Sequence, residues 1–506
     1  MTATRTVVEA LVGRAPGPFV GGEYRARAER FEVRAPATGE TLAAVGDADA
    51  DDASAAVSAA AAALDAWSAM PAWRRYETLR AGVAELGAVA EDLAVLLSAE
   101  TGKPLAEARG EVASTVRFFE WFGHETLRLT GEAWPDVAAD RDALVLREPV
   151  GVVVAITPWN FPAFMVACKV GAALAAGCTV VLKPAEQTPL TALAIAAALH
   201  RGGLPAGVLN VLPAGDPRRV SDVLLHSAAV ACVSFTGSRA VGEFIAREAS
   251  SGIKRVLLEL GGNAPAVVLE DADVGHAVEQ VVRARFGNAG QTCVAANRVY
   301  VVDAVAEEFT SELVAATSRL RVGDPGDPDT DLGPLIDRAA VERVEEQIRT
   351  AVAQGARLLT GGGRIRETAE SVFLRPAVLA ASSGAQPAVF AEELFGPVLA
   401  VVRCPDAQTA VALANDTEYG LAGYVFSADQ RRALAVARRL AVGSVGVNCA
   451  LVSEPALPFG GVKASGIGRE RGRAGVEEFL DTKTVQISTA TREPVRAFPS
   501  FVQEQQ

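Results

Sequence analysis

The 506-residue sequence has only four histidines, and its six cysteines are scattered along the chain without a CxxC pair. In a chain of this length, widely spaced cysteines indicate free thiols in a reducing compartment rather than a disulfide framework. The histidines are isolated from one another, and their spacing does not suit a set of metal ligands. We therefore expect neither structural disulfides nor a bound metal.

The sequence also lacks an excess of positive charge and a long uninterrupted apolar run. A formal net charge of −13 argues against nucleic acid or an anionic membrane as a main partner. The most apolar segment, residues 164–183, is interrupted by Lys169 and two glycines, which predicts a buried helix followed by a strand. The N-terminal residues do not have the pattern of a secretory signal, so we expect a cytoplasmic protein.

The chain is too long for one hydrophobic core, which predicts two or three domains. Ala-rich helices dominate residues 50–125, and from residue 151 short β-branched runs alternate with helices. This alternation predicts βαβ units and a parallel sheet that binds ligands beyond the carboxyl ends of its strands. A second α/β stretch begins near residue 262 and continues to about residue 460.

Charged residues and glycines follow several of these predicted strands. Lys183 can donate to ribose hydroxyls, and Glu186 can accept from an adenosine 2′-hydroxyl while repelling a 2′-phosphate. A solvated pair at the start of the next helix explains these two residues equally well. Gly237 and Gly242 flank a helix start where backbone N–H groups could approach a pyrophosphate, although a tight turn is the alternative and no GxGxxG is present.

Two residues are candidates for catalysis. Glu259 is a single carboxylate in an apolar run, where burial would raise its pKa and suit a general base, or where a satisfied hydrogen bond would make it merely structural. Cys293 follows a polar, glycine-containing loop that suits an accessible nucleophile, although an incidental loop cysteine is the alternative. A free thiol is only slightly ionised at neutral pH, so a catalytic Cys293 would need activation.

Taken together and in order, these stretches resemble the NAD(P)-dependent aldehyde dehydrogenase superfamily over roughly residues 20–490. The matching segments are TPWNFP (157–162), KPAEQTP (183–189), FTGSRAVG (235–242), LELGGNAP (258–265), GNAGQTC (287–293), EELFGPV (392–398) and PFGGVKASGIGRE (458–470). ELGGNAP, NAGQTCVAANR and KASGIGRE are most similar to the succinate-semialdehyde dehydrogenase branch.

The resemblance implies an α/β fold with a Rossmann-variant cofactor domain, an α/β catalytic domain and a β oligomerisation arm. The NAD-binding domain would comprise residues 1–126 and 149–260, and the catalytic domain residues 261–460. Residues 127–148 and 483–496 would form the arm, which implies a homodimer or a homotetramer.

The resemblance also implies a mechanism. Cys293 would attack the aldehyde to give a thiohemiacetal, and hydride transfer would leave a thioester. The side-chain amide of Asn160 and the backbone N–H of Cys293 would form the oxyanion hole. Glu259 would activate the hydrolytic water, and Glu470 matches a position proposed as a second proton relay.

The implied cofactor is NAD, and NADP is disfavoured because of Glu186. The expected cofactor contacts are Trp159, Gly237, Ser238 and Gly242 around the pyrophosphate, Lys183 and Glu186 on the adenosine ribose, and Glu393 and Phe395 at the nicotinamide ribose.

The family's aldehyde tunnel corresponds to Phe161, Met165, Cys168, Gly287, Thr292, Leu451, Ser453 and Phe459. Enzymes of the succinate-semialdehyde branch hold the distal carboxylate of the substrate with two arginines, and this chain has Cys168 and Gly287 at those positions. A buried anion without its cations is costly, so we expect poor binding of succinate semialdehyde unless other residues compensate. The small residues favour a semialdehyde or a bulkier or less charged aldehyde, with succinate-semialdehyde dehydrogenase proper as the alternative.

Three further expectations follow from the resemblance. Ala295 stands where some relatives carry a second, redox-sensitive cysteine, so that switch should be absent. CoA-acylating relatives generally lack the glutamate present here as Glu259, which disfavours a CoA-dependent reaction. A catalytically silent binding protein would usually lack Cys293 or Glu259, and both are present.

Overall fold

A computed structural model describes residues 2–365, 371–382 and 387–489 of the chain. Its strands, in chain order, are β1 (Phe19–Val20), β2 (Glu23–Tyr24), β3 (Arg30–Arg34), β4 (Thr41–Gly46), β5 (Glu132–Ala138), β6 (Arg141–Pro149), β7 (Val152–Ile156), β8 (Thr179–Lys183), β9 (Leu209–Val211), β10 (Val230–Thr236), β11 (Arg255–Glu259), β12 (Ala264–Val268), β13 (Ala296–Val302), β14 (Arg357–Thr360), β15 (Ala377–Ser382), β16 (Val398–Cys404), β17 (Ala422–Phe426), β18 (Ser444–Val447), β19 (Gly466–Ile467) and β20 (Leu480–Ser488).

The α-helices are α1 (Thr2–Val12), α2 (Ala50–Ser68), α3 (Ala72–Ala88), α4 (Ala90–Thr101), α5 (Leu105–Thr126), α6 (Pro162–Val166), α7 (Ala172–Ala176), α8 (Pro189–Arg201), α9 (Arg218–His226), α10 (Arg239–Ser250), α11 (Val274–Phe286), α12 (Asp303–Arg319), α13 (Arg338–Ala353), α14 (Ala407–Asn415), α15 (Gln430–Ala437) and α16 (Gly472–Glu477). A π-helical turn, Ala167–Gly171, joins α6 to α7, and 3₁₀ turns cover Gly287–Gly290, Ala388–Ala391 and Lys463–Ser465. None of the helices in the described ranges is long and apolar enough to cross a membrane.

The first sheet has the strand order β19-β11-β10-β7-β8-β9-β1-β2. Its central strands β11, β10, β7, β8 and β9 run parallel, and the antiparallel pairs lie at the two edges. Strands β8 and β9 are buried along their whole length, which explains why their sequences are continuous apolar runs rather than alternating ones. The parallel sheet predicted from the β/α alternation is confirmed.

The Ala-rich helices pack against this sheet, and their ends carry clear sequence signals. Helix α2 begins at a capping box in which Asp49 and Asp52 bond each other's backbone N–H groups. Helix α8 begins with Pro189, which needs no hydrogen-bonded N–H in the first turn, and ends at Gly202. Two apolar clusters lie between the helices and this sheet: one extends from α1 to β20, and the other joins α2, α9 and α10 to the sheet.

The second sheet has the order β14-β15-β16-β13-β12-β17-β18 and encloses a separate apolar core. The chain passes from one sheet to the other between Glu259 and Ala264, the interval that contains the predicted boundary at residue 261. The predicted domain limits otherwise remain a prediction.

Strands β5, β6 and β20 form a third, antiparallel sheet that projects from the body. This sheet comprises the predicted arm segment 127–148 and the beginning of the predicted segment 483–496. Residues 490–496 lie outside the described residues.

Candidate active site

Cys293 lies on the loop between α11 and β13, and this loop has an unusual backbone. Asn288 and Ala289 have φ angles of 52° and 53°, in the left-handed region that non-glycine residues seldom adopt. The backbone N–H of Asn288 donates to the Glu107 carboxylate at 2.9 Å, and its side-chain amide donates to the carbonyl of Asn160 at 3.0 Å. These bonds from distant segments hold the loop in a conformation that the local sequence does not prefer.

Cys293 is a partly exposed residue, and its loop lies against the segment that follows the end of β11 in the first sheet. Burial, with smaller contributions from Glu393 and Glu259, raises the pKa of the thiol to about 12. The backbone of Gly262 passes so close that a Cβ at that position would lie 2.1 Å from the Cys293 carbonyl oxygen. The thiol is therefore protonated at neutral pH, and a nucleophilic role requires a base that removes its proton.

Asn160 follows β7 and reaches the same loop. Its side chain is 7% exposed, and Nδ2 donates to the carbonyl of Gln291 at 2.8 Å. An amide nitrogen carries two hydrogens, so one N–H remains for a ligand at the thiol. The predicted oxyanion donor Asn160 thus bonds Gln291, which precedes Cys293 by two residues on the same loop.

Lys103 supports this arrangement from behind, and the sequence analysis did not single it out. Its buried Nζ lies 2.5 Å from the Glu111 carboxylate and 2.9 Å from the Asn160 carbonyl oxygen, and it also faces the Phe161 ring at 4.1 Å. Glu111 in turn accepts from the backbone N–H of Ala163 at the start of α6. Lysine and glutamate are normally exposed, so only the packing of the α4–α5 connection and α5 against α6 shows that this ion pair is buried.

Glu259, at the end of β11, belongs to a buried cluster of ionisable groups. Its side chain is 5% exposed, and its Oε2 has no hydrogen-bond partner among the described residues. Burial, followed by the neighbouring Glu470, raises the Glu259 pKa well above its ordinary value. Lys169, from the π-helical turn, bonds the Glu470 carboxylate at 2.5 Å and Ser234 Oγ at 3.1 Å. A raised pKa makes Glu259 a better base than an exposed glutamate once its proton is lost.

The predicted adenosine contacts lie at the carboxyl end of the first sheet. Lys183 ends β8 and is buried, and its Nζ lies 3.9 Å from the Glu186 carboxylate. Ser238 precedes α10 and makes no capping bond with its side chain, so first-turn N–H groups remain for an anion. A Cβ at Gly242 would lie 2.4 Å from Leu260, which explains the glycine by close packing of the helix. This donor set fits a dinucleotide.

The predicted nicotinamide contacts converge from the second sheet. Glu393 Oε1 accepts from the backbone N–H of Gly262 at 2.8 Å, and burial raises the Glu393 pKa to about 7. The Phe395 ring packs edge-on against Trp159, with ring centroids 5.6 Å apart. Residues predicted from motifs more than 200 positions apart therefore lie together beside Cys293.

The predicted tunnel residues differ in their placement. Three of them are buried, namely Met165, Cys168 and Phe459, and three are partly buried, namely Phe161, Thr292 and Ser453. Leu451 is 59% exposed. A Cβ added at Gly287 would meet no atom of the described residues within 4 Å. Ser453 and Phe459 both contact a side chain that the sequence analysis missed, Arg471.

A parallel sheet with a dinucleotide-type end lies close to a thiol, an amide donor and a buried carboxyl with a raised pKa. These features are typical of an α/β oxidoreductase.

Comparison with known proteins gives the family. The sequence pattern of the aldehyde dehydrogenase family matches residues 24–485. The chain is 43% identical to glutarate-semialdehyde dehydrogenase of Pseudomonas putida over 472 residues, covering 93% of this chain and 97% of the relative. It is 45% identical to the NADP⁺-dependent succinate-semialdehyde dehydrogenase of Escherichia coli over 459 residues, covering 91% and 94%. It superimposes on betaine aldehyde dehydrogenase of Staphylococcus aureus in complex with NAD⁺ with a TM-score of 0.92 at 32% identity, covering 98% and 100%.

The chain therefore belongs to the aldehyde dehydrogenase family, and it is an NAD(P)-dependent oxidoreductase that converts an aldehyde to the acid. The family and the fold predicted from the sequence motifs are confirmed.

Proposed function

We propose that Cys293 is the nucleophile of this aldehyde oxidation and that Glu259 is its general base. The observation that carries the proposal is the pairing of two perturbed groups at one recess. Burial raises the pKa of both the Cys293 thiol and the Glu259 carboxyl. A thiol of this kind needs a strong local base, and a buried glutamate with a raised pKa provides one.

Attack of Cys293 on the aldehyde carbon places negative charge on the substrate oxygen. The free N–H of the Asn160 amide and the backbone N–H of Cys293 stabilise this oxygen, and loss of one such donor typically costs about 10²–10³ in rate. Lys103 holds Asn160 in place through its carbonyl oxygen at 2.9 Å. After oxidation, Glu259 removes a proton from the water that hydrolyses the thioester. The Glu470 carboxylate, which is paired with Lys169, lies next to Glu259 and is placed to accept that proton from it.

The nicotinamide dinucleotide, whose ring supplies the hydride acceptor, would be held by Lys183, Ser238, Glu393 and the Trp159–Phe395 pair. We propose that NAD is preferred. Glu186 lies 3.9 Å from Lys183, and Asp216 also acts electrostatically on Lys183. Two carboxylates near the lysine would repel a 2′-phosphate.

The third sheet suits an interface with a second copy of this chain. Trp134, Val137 and Leu146 are 53%, 53% and 37% exposed on it, and Ile487 is 44% exposed. Several large exposed apolar side chains grouped on one small sheet are typical of an interaction surface. Size-exclusion chromatography with light scattering should therefore give a dimer or a tetramer, and a monomer would contradict this assignment.

The catalytic assignment is tested by mixing the protein with NAD or NADP and a panel of aldehydes and by following the reduced nicotinamide. Cys293→Ala should abolish its formation. The matched control is Cys449→Ser, which removes the other partly exposed thiol and should keep the activity. Equal rates for Cys293→Ala and the parent protein would refute the assignment of the nucleophile.

A further inference from the structure

Arg471 is a buried cation that none of the catalytic roles uses. Its side chain is 3% exposed, although the surrounding sequence, GRERGR, is typical of a solvated surface segment. Its backbone has φ 64° and ψ 169°, a conformation that is almost restricted to glycine. An arginine held in such a conformation, with its side chain turned into the protein, requires a reason beyond local preference.

The guanidinium group is held by aromatic rings rather than by a carboxylate. Its central carbon lies 3.8 Å from the Phe459 ring centroid, 4.9 Å from that of Phe164 and 5.8 Å from that of Phe118. Aromatic faces attract a cation and fix its plane, but they leave its charge in place. The group therefore stays fully charged in a nearly dry environment.

Its hydrogen-bonding capacity is also largely unused. Nη1 donates to Ser453 Oγ at 2.5 Å, the guanidinium group also hydrogen-bonds the Cys168 thiol, and within the described part of the chain no carboxylate accepts from it. Nε is buried without a partner. A guanidinium group has five N–H donors in a fork that matches a planar anion. Since unpaired buried donors are costly, the site is incomplete without an acceptor.

The neighbouring acids do not neutralise this charge. The Glu470 carboxylate is bound to Lys169 at 2.5 Å, and burial keeps the pKa of Glu259 high. Within the described residues, Arg471 has no ion pair.

The position of Arg471 relates this unpaired charge to the aldehyde site. Arg471 contacts Ser453 and Phe459, two of the residues expected to line the aldehyde path. It also lies close enough to lower the pKa of a third, Cys168, and that of the nucleophile Cys293, although burial outweighs it in both cases. The guanidinium group of Arg471 thus lies beside Cys168. Cys168 occupies one of the two positions at which enzymes of the succinate-semialdehyde branch carry an arginine and this chain does not.

We propose that Arg471, together with Ser453, binds a distal anionic group of the aldehyde substrate, and this proposal rests on the proposed function of Cys293. The substrate class is an aldehyde that carries a carboxylate or sulfonate some distance from the reacting carbon. Arg471 is then a specificity-determining residue, since it pairs with the anion and does not take part in the bond changes at the thiol.

The test compares succinate semialdehyde with its methyl ester, which removes the charge and keeps the chain. A third aldehyde carries a sulfonate in place of the carboxylate and distinguishes the two kinds of anion. The parent protein should have the higher kcat/KM for an anionic aldehyde. Arg471→Met should reduce the ratio of kcat/KM values, anionic to ester, by about 10- to 100-fold, mainly through KM. Arg471→Lys should recover part of the ratio because it restores the charge without the fork.

Arg473→Met is the matched control, because Arg473 is exposed and paired with Glu477 at 2.9 Å, two positions further along. It should leave the ratio unchanged. Ser453→Ala removes the neutral partner and should lower the ratio below that of the parent by a smaller factor than Arg471→Met. If Arg471→Met does not fold, an unchanged ratio in Ser453→Ala overturns the proposal. A parent protein that prefers the ester, or an Arg471→Met ratio equal to that of the parent, would overturn the proposal. Failure to oxidise any of the three aldehydes while another aldehyde is oxidised would also overturn it, whereas failure to oxidise any aldehyde would contradict the proposed function.

Discussion

Replacing Glu259 with glutamine should stabilise the protein at high pH. The Glu259 carboxyl is 5% exposed, and burial and the nearby Glu470 raise its pKa well above the ordinary value. Such a carboxyl stabilises the fold fully below its unfolded pKa of about 4.3, and this contribution is lost as the pH rises through the folded pKa. Between the unfolded and the folded pKa of Glu259, the parent protein should lose about 1.4 kcal/mol of stability per pH unit. Glu259→Gln has no proton to release there and should not show this loss.

The assay is the midpoint of thermal unfolding of both proteins, measured without cofactor at a series of pH values. The midpoints should be close in mild acid, and Glu259→Gln should unfold at increasingly higher temperatures than the parent as the pH rises. Glu308→Gln, which replaces an exposed glutamate on α12, should follow the parent throughout and is the matched control. A difference between Glu259→Gln and the parent that does not change with pH would refute the idea of a desolvated carboxyl.

The same variant should lose turnover and should also slow the first chemical step, because Glu259 is proposed to remove the proton of the Cys293 thiol. Loss of a general base typically costs about 10²–10⁴ in rate, and thioester hydrolysis should be the slower of the two affected steps. One equivalent of reduced nicotinamide should form per active site, followed by very slow release, and mass spectrometry should detect an acyl group on Cys293. Absence of that group from a variant that still gives the burst would contradict the role of Glu259 in hydrolysis.

Three other substitutions test separate parts of the structure. Lys169→Met should destabilise the protein by about 3–5 kcal/mol because it leaves the buried Glu470 carboxylate unpaired, and Lys169→Met/Glu470→Gln should recover most of that loss in chemical unfolding. Gly262→Ala should lose activity because its Cβ would lie 2.1 Å from the Cys293 carbonyl oxygen, whereas Gly287→Ala, with open space around it, should fold and unfold like the parent. Glu186→Thr should raise the ratio of kcat/KM with NADP to kcat/KM with NAD by about tenfold or more, because it removes a carboxylate next to Lys183 at the proposed adenosine ribose site. An unchanged ratio would contradict that placement.

The sequence alone was sufficient for the fold class and for the chemistry of the reaction. Buried parallel strands produce continuous apolar runs, and their alternation with helices leaves few other architectures. Glu259 and Cys293 could be proposed as catalytic residues because each is a reactive side chain at the end of a strand or in a short polar loop, positions where such residues often serve binding and catalysis.

Other parts of the site could not be predicted, because they depend on contacts between distant segments. Lys103 lies in the connection between α4 and α5 and Glu111 lies on α5, both positions where charges are normally solvated, and their burial follows only from the packing of this region against α6. The left-handed conformation of Asn288 and Ala289 also requires partners from elsewhere in the chain. Leu451 was predicted along the aldehyde path from its position in a motif, and it lies 59% exposed.

The burial of Arg471 could not be predicted from its local sequence and follows only from the tertiary structure. Hydropathy and charge patterns report the average environment of a residue type, and for an arginine between charged residues and glycines that average is solvent. Its actual environment is set when α5 and α6 place Phe118 and Phe164 against the segment that contains Phe459. The sequence determined the reaction because reactive groups occur in local motifs, and the tertiary structure decided the charge of the substrate site because that charge depends on which distant side chains enclose it.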